Sequence, residues 1–271
     1  MTGALRRTVC SLVALALAAS ATACGAPTGA VQGSQDGPLL VAAAADLGPA
    51  FTELGALYRE QTGHEVTFTF GSSGQLAQQL VNGAPFEVFA SADVAYVHDV
   101  LDAGVGDPST VTTYAVGRLV VWVREDTAEG PVAIGDLVDP RYGRIAVANP
   151  DHAPYGVAAV EALRRAGIYA QVQDRLVFGE NASDTLRLAS SGNADAALVA
   201  LSLALAGPAS HVAAVPADLH EPLDQALVVT AGGERVRPAA EFAALVASPQ
   251  GRELMARHGF ELPTDLPAGT G

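Results

Sequence analysis

Lysine is missing from this 271-residue chain: all fifteen of its basic residues are arginine, set against 29 acidic ones. The formal charge is −14, and no basic cluster follows the first few residues, so the electrostatic footprint of a nucleic-acid-binding protein is lacking. Cysteine is nearly absent as well. Cys10 and Cys24 both precede the region of alternating strand and helix patterns, which therefore holds no disulfide and no cysteine-based metal site. Charged residues are only 16% of the chain, which excludes a charge-rich disordered tail or a long coiled coil. The six histidines are scattered, with no metal-ligand spacing between any two. The chain contains no GxSxG, HExxH or P-loop motif, and Asp46, Asp184 and Asp195 form no recognisable carboxylate pair. What is present is a chain 49% hydrophobic, enough for a sizeable core in one or two domains.

The N-terminus has the form of a targeting segment. Arg6 and Arg7 precede an apolar run from Val9 to Ala19, which is too short for a permanent membrane span. Small residues then lead to Cys24 in the order Ala21-Thr22-Ala23-Cys24, similar to the bacterial lipobox, in which the cysteine carries lipid. Ala21 stands where Leu is commonest. The other reading is ordinary cleavage near Ala23, leaving Cys24 as a free thiol. Loss of the leader moves the formal charge from −14 to −16. The following Gly- and Ser-rich stretch reads as a flexible tether.

Beyond the tether, strand patterns alternate with helix patterns, the arrangement of α/β architecture with mainly parallel sheets. Candidate strands are 39–44, 65–70, 86–90, 118–123, 144–148, 175–178, 196–199 and 226–230. Candidate helices are 47–61, 75–81, 95–103, 156–165, 184–190, 239–246 and 249–258. One unit recurs: an apolar strand, a turn with a capping residue, then a helix. It occurs at Asp46, at Ser72-Ser73, before Gly156 and before Asp184. In open α/β sheets such strand ends and helix starts face the ligand crevice. Helix N-termini carry unpaired N–H groups and partial positive charge, and they accept small anions. The turn Gly71-Ser72-Ser73-Gly74 adds hydroxyls and close backbone approach. A site made of donors suits a fully deprotonated oxyanion, and the acidic surface does not oppose it.

The segment GSSGQLAQQLVNGAPFEVFASAD (71–93) resembles the signature of the periplasmic molybdate-binding proteins, the solute receptors of molybdate ABC importers. The resemblance continues in VAAAADL (41–47), ANPDHAPYG (148–156) and SPQGRELMARHGF (248–260), in the expected order. It implies a two-lobed type II periplasmic-binding-protein-like fold, each lobe a mainly parallel sheet flanked by helices. The expected division is 1–23 signal peptide, 24–37 tether, 38–117 plus 229–267 first lobe, and 118–228 second lobe. The crossings would fall near 114–118 and 225–230.

The same resemblance implies the ligand-binding residues. Ser73 matches the serine that contacts the oxyanion through its hydroxyl and N–H. Asp46 stands where many relatives have Ser. Its side chain is expected to cap its own helix while its N–H faces the ligand, or else it is a cap alone. Tyr155 and Ala182 match positions that donate backbone N–H groups. Ala200 replaces a tyrosine whose hydroxyl would donate, so it could only line the cavity. The implied protein is no enzyme, needs no cofactor, captures molybdate and tungstate, and delivers them to a membrane permease. It is expected to be a monomer held at the outer face of the membrane by lipid on Cys24. Phosphate or sulfate remains an alternative ligand, since an inward-turned Asp46 would accept the proton of a phosphate. An enzyme on the same fold is the alternative of another class.

Overall fold

In a computed structural model of the chain, residues 37–127, 130 and 132–263 are described. The leader and Cys24 lie outside the described residues, as does nearly all of the tether. The described residues form one compact unit. Its strands are β1 (Leu39–Ala44), β2 (Val66–Gly71), β3 (Val88–Ser91), β4 (Thr112–Gly117), β5 (Leu119–Arg124), β6 (Ile145–Ala148), β7 (Leu176–Gly179), β8 (Ala196–Ala200), β9 (Ser210–Ala214) and β10 (Leu223–Val229). Its helices are α1 (Gly48–Thr62), α2 (Ser73–Val81), α3 (Val94–Asp102), α4 (Pro154–Arg165), α5 (Tyr169–Val172), α6 (Ala182–Ser190), α7 (Leu201–Ala206), α8 (Val236–Ala247) and α9 (Pro249–Arg257).

The strands form two five-stranded sheets, ordered β2-β1-β3-β10-β4 and β7-β6-β8-β5-β9. In each, three parallel strands meet an antiparallel one, β10 or β5, and a fifth strand pairs beyond it. Four of five strands in each sheet therefore run one way, and the two sheets repeat one strand order. This is the two-lobed α/β architecture. Each expected strand–turn–helix unit forms: β1 to α1, β2 to α2, β6 to α4, and β7 to α6.

The chain passes from the first sheet to the second at Arg118, between β4 and β5. Its return differs from the expectation at 225–230. All of β10 pairs with β3 and β4, from Leu223 onward, so the return lies within 215–222. The cause is a continuous ladder: Leu223 pairs with Gly117 and Gln225 with Ala115, across a register shift after Gln225. Two strands went unread in the sequence, β4 and β9; the latter is a half-exposed edge with little apolar alternation.

The apolar faces of both sheets and their helices form the core. Strand β5 is buried almost throughout, including Trp122. Under α1, Phe51 and Tyr58 meet Phe242 of α8 edge-on at 5.9 and 5.5 Å, the preferred aromatic geometry. Arg235 closes the first lobe. Its guanidinium pairs with Glu87 and donates to the carbonyls of Gly37 and Pro38, at 3.2 and 2.9 Å, fastening the chain start beside α8.

Candidate functional site

Ser73 is the first residue of α2 and Ala182 the first of α6. Tyr155 is the second of α4, behind Pro154, which has no N–H, so Tyr155 supplies the first donor of that helix. Such first-turn amides have no acceptor within their own helix and sit at its positive end. All three residues are buried. Ser73 Oγ accepts from the N–H of Ala92 at 3.0 Å, which leaves its own O–H free to donate.

Side chains of the second lobe draw the starts of α6 and α7 against the turn that carries Asp46. Ser183 Oγ donates to the Ala45 carbonyl at 3.2 Å and sets the first turn of α6 there. Ser202 Oγ, in α7, donates to the Asp46 carbonyl at 2.8 Å. Gly74 N–H donates to the His152 carbonyl at 2.9 Å, joining α2 to the loop before α4. Gly74 leaves no room for more: a Cβ there would lie 2.8 Å from that carbonyl.

The same loop is bound at the cleft mouth by Ser72, whose hydroxyl donates to the His152 carbonyl. Ser72 Oγ also lies 2.8 Å from His152 Nδ1. The hydroxyl has one proton, already committed to the carbonyl, so the ring nitrogen is the donor and Nδ1 carries hydrogen. The imidazole is then no base toward Ser72, and this Ser–His pair is a latch. Gln75 reaches from α2 to Glu180 of the second lobe at 3.3 Å and to His152 Nε2 at 3.4 Å. A cavity of about 370 Å³ lies beside this latch, lined in part by Gly74, Gln75, Tyr96 and His152. Another, of about 590 Å³, opens behind the crossings at Gly117, Arg118 and Pro222, away from the helix starts. The larger space does not mark the site, because small-anion recognition needs converging donors in a tight enclosure.

Asp46 departs from its expected role as a cap. No side-chain cap starts α1, and the carboxylate turns to Gln225 of β10, whose Nε2 donates to Oδ2 at 2.7 Å. Asp46 is 1% exposed. Burial raises its pKa from 3.8 to about 6, against the opposing pull of Gln225, the Tyr155 hydroxyl and the N–H groups of Asp46 and Leu47. The hydroxyls of Tyr155 and Tyr114 and Oε1 of Gln225 are buried without a hydrogen bond of ordinary geometry. Even so, the field of Asp46 reaches both phenols. Burial first, and that carboxylate second, push them well above their ordinary range.

Of the five residues singled out in the sequence, Asp46 and Tyr155 share this buried group. Ala182 adjoins it through Ser183, and Ser73 lies beside it through the pairing of Ala44 with Gly71. Ala200 ends β8 opposite Leu119 and contributes no polar group; Ser202, two residues on, supplies the hydroxyl of that segment. Gln225 and His152 were missed as functional residues. A glutamine within a buried strand was a usable signal for Gln225.

Two α/β lobes, with the start of α6 bonded to the Asp46 turn and α2 to the loop before α4, have the architecture of an extracytoplasmic-type solute receptor. The profile of the bacterial extracellular solute-binding protein family matches residues 39–261. The chain is 34% identical to the molybdate-binding protein ModA of Rhodobacter capsulatus, over 90% of this chain and 96% of that one. The periplasmic molybdate-binding protein of Azotobacter vinelandii superposes with a TM-score of 0.76 at 30% identity, covering 83% of this chain and 99% of that one. The sulfate-binding protein SubI of Mycobacterium tuberculosis shares the fold, with a TM-score of 0.72 at 14% identity over 84% of this chain and 88% of that one. The chain belongs to the bacterial extracellular solute-binding proteins, in the molybdate-binding family, and is not an enzyme.

Proposed function

We propose that this protein captures molybdate, and tungstate with it, between its lobes and hands the anion to the permease of an ABC importer. The observation that carries this reading is the set of buried first-turn donors at Ser73, Tyr155 and Ala182, drawn from both lobes. The Asp46 N–H, in the adjoining turn, joins them, and Ala200 lines the cavity behind. Donors without acceptors favour a dianion that carries no proton. A phosphate P–OH would need an acceptor, and the buried carboxylate of Asp46 is engaged by Gln225 instead. Sulfate has the same hydrogen-bond character and is refused by size. Cys24 holds the protein by lipid at the outer face of the membrane, and the receptor works as a monomer. The first lobe takes in residues 38–117 and the return from 223, and the second takes in 118–222.

Titration calorimetry of the protein from Gly25 onward tests the ligand. Molybdate and tungstate are expected to bind tightly and sulfate and phosphate weakly. Phosphate binding without a molybdate response would overturn the reading. Mass spectrometry of the membrane-extracted full chain tests the anchor: diacylglycerol on Cys24 is expected, and its absence would show ordinary cleavage.

A further inference from the structure

Asp46 is a buried carboxyl that no cation pairs with among the described residues. The groups acting on it are Gln225 from β10, Tyr155 from α4 and Tyr114 from β4, together with nearby backbone N–H groups. None of these side chains carries positive charge. Three belong to the first lobe, Asp46, Gln225 and Tyr114, whereas Tyr155 comes from the second. Its ring lies against the crossing: a Cβ on Gly117 would stand 2.3 Å from the Tyr155 hydroxyl and 3.0 Å from Gln225 Nε2. Tyr155 therefore joins two places. Its backbone N–H opens α4 toward the anion, and its hydroxyl end packs into the carboxyl's enclosure.

We propose that Asp46 is a positioning residue for closure, seating Tyr155 and Gln225 at the crossing and taking up a proton as the cleft shuts on a dianion. The proposal rests on the oxyanion-receptor reading above. Its physical reason is the cost of burying charge. A carboxylate enclosed without a cation lowers its free energy by protonation. With the lobes apart, Tyr155 is withdrawn and water reaches Asp46, so the carboxyl returns toward 3.8; closed, it stands at about 6. An incoming dianion adds repulsion in the same direction. Proton uptake removes the conflict between an acidic residue in this turn and an anionic ligand. The added proton gives Asp46 a donor for Gln225 Oε1, which has no other hydrogen-bond partner among the described residues, so the carboxyl stays engaged with Gln225 and does not serve as an acceptor to the ligand.

The test is calorimetric titration of molybdate into the protein between pH 5 and pH 8, in pairs of buffers with different ionisation enthalpies. For a carboxyl moving from 3.8 to about 6 on closure, affinity should rise about tenfold from pH 8 to pH 5, with roughly half a proton taken up at pH 6. In Asp46→Asn the profile should be flat over this range relative to the parent, with that uptake gone. The ligand and every other side chain are common to both proteins, so the difference isolates Asp46. Gln225→Met removes the donor that favours the charged form and should move the midpoint upward, which keeps the idea testable if the asparagine variant does not fold. A flat parental profile, or an asparagine variant with the parental slope, overturns proton uptake while leaving the receptor reading intact. Failure of both molybdate and tungstate to bind at any pH overturns the reading and this inference with it.

Discussion

Ser73 shows how much one residue at a helix start can carry. Its N–H is free by position and its hydroxyl proton is free because Oγ already accepts from Ala92. A hydrogen bond to a charged partner contributes about 1.5–3 kcal/mol, so Ser73→Ala should weaken molybdate binding roughly 10- to 100-fold by calorimetry. Loss below threefold would mean that the hydroxyl serves Ala92 alone. Asp46 makes a separate prediction for stability. Its folded carboxyl lies above the unfolded 3.8, so its contribution is complete below about pH 4 and is lost as pH rises through about 6. The change is on the order of 3 kcal/mol. Urea unfolding with saturating molybdate, which holds the cleft shut, should show Asp46→Asn gaining stability on the parent as pH rises from 4 to 8. Both residues were legible in the sequence because strand–turn–helix order marks a position. The partners were not: Gln225 lies 179 residues from Asp46, and His152 meets Ser72 across 80. Such pairings are products of tertiary structure.

At the scale of elements, the sequence placed three helix starts two residues late. It set α2, α4 and α6 at 75, 156 and 184, whereas they begin at Ser73, Pro154 and Ala182. Glycine, serine and proline read as breakers, yet the first helical turn accepts them, because its N–H groups need no intrahelical acceptor. The displaced residues include all three proposed amide donors. The join of β6 to α4 is also tighter than its sequence suggests. A Cβ on Gly156 would fall 2.2 Å from the carbonyl oxygen of Ala148, a backbone atom that cannot swing aside. Gly156→Ala should therefore cost about 1–3 kcal/mol and lower the melting temperature by roughly 3–10 °C. Calorimetric melting checks this, and an unchanged midpoint would mean that the join relaxes freely. The parallel strands were legible from their apolar runs. The edge strand β9 does not, since its half-exposed residues give weak alternation.

For the whole molecule, the important correction is the place of β10. By pairing with β4 and β3 it brings Gln225 to the first lobe and both crossings to one neighbourhood, at Arg118 and within 215–222. The C-terminal part of the chain joins them there: Val116 and Glu261 exchange backbone hydrogen bonds at 2.7 and 2.9 Å, and Arg118 pairs with Glu261. A domain motion about this region must move Tyr155 relative to Gly117. That relation gives a test of closure separate from ligand chemistry. In Gly117→Ala the added methyl would occupy the place of the Tyr155 hydroxyl, while the helix-start donors keep their sequence. Closure then becomes harder, and apparent affinity falls by the fraction of molecules still able to close. Molybdate at 100 times its dissociation constant should stabilise the parent by about 2.7 kcal/mol, or roughly 5–10 °C, and reduce its radius of gyration in solution scattering. At the same concentration the variant should show a smaller thermal shift and less compaction. Equal compaction in both proteins would mean that Tyr155 need not seat behind the crossing, and that closure is governed by the mouth contacts of Ser72, Gln75 and His152 instead.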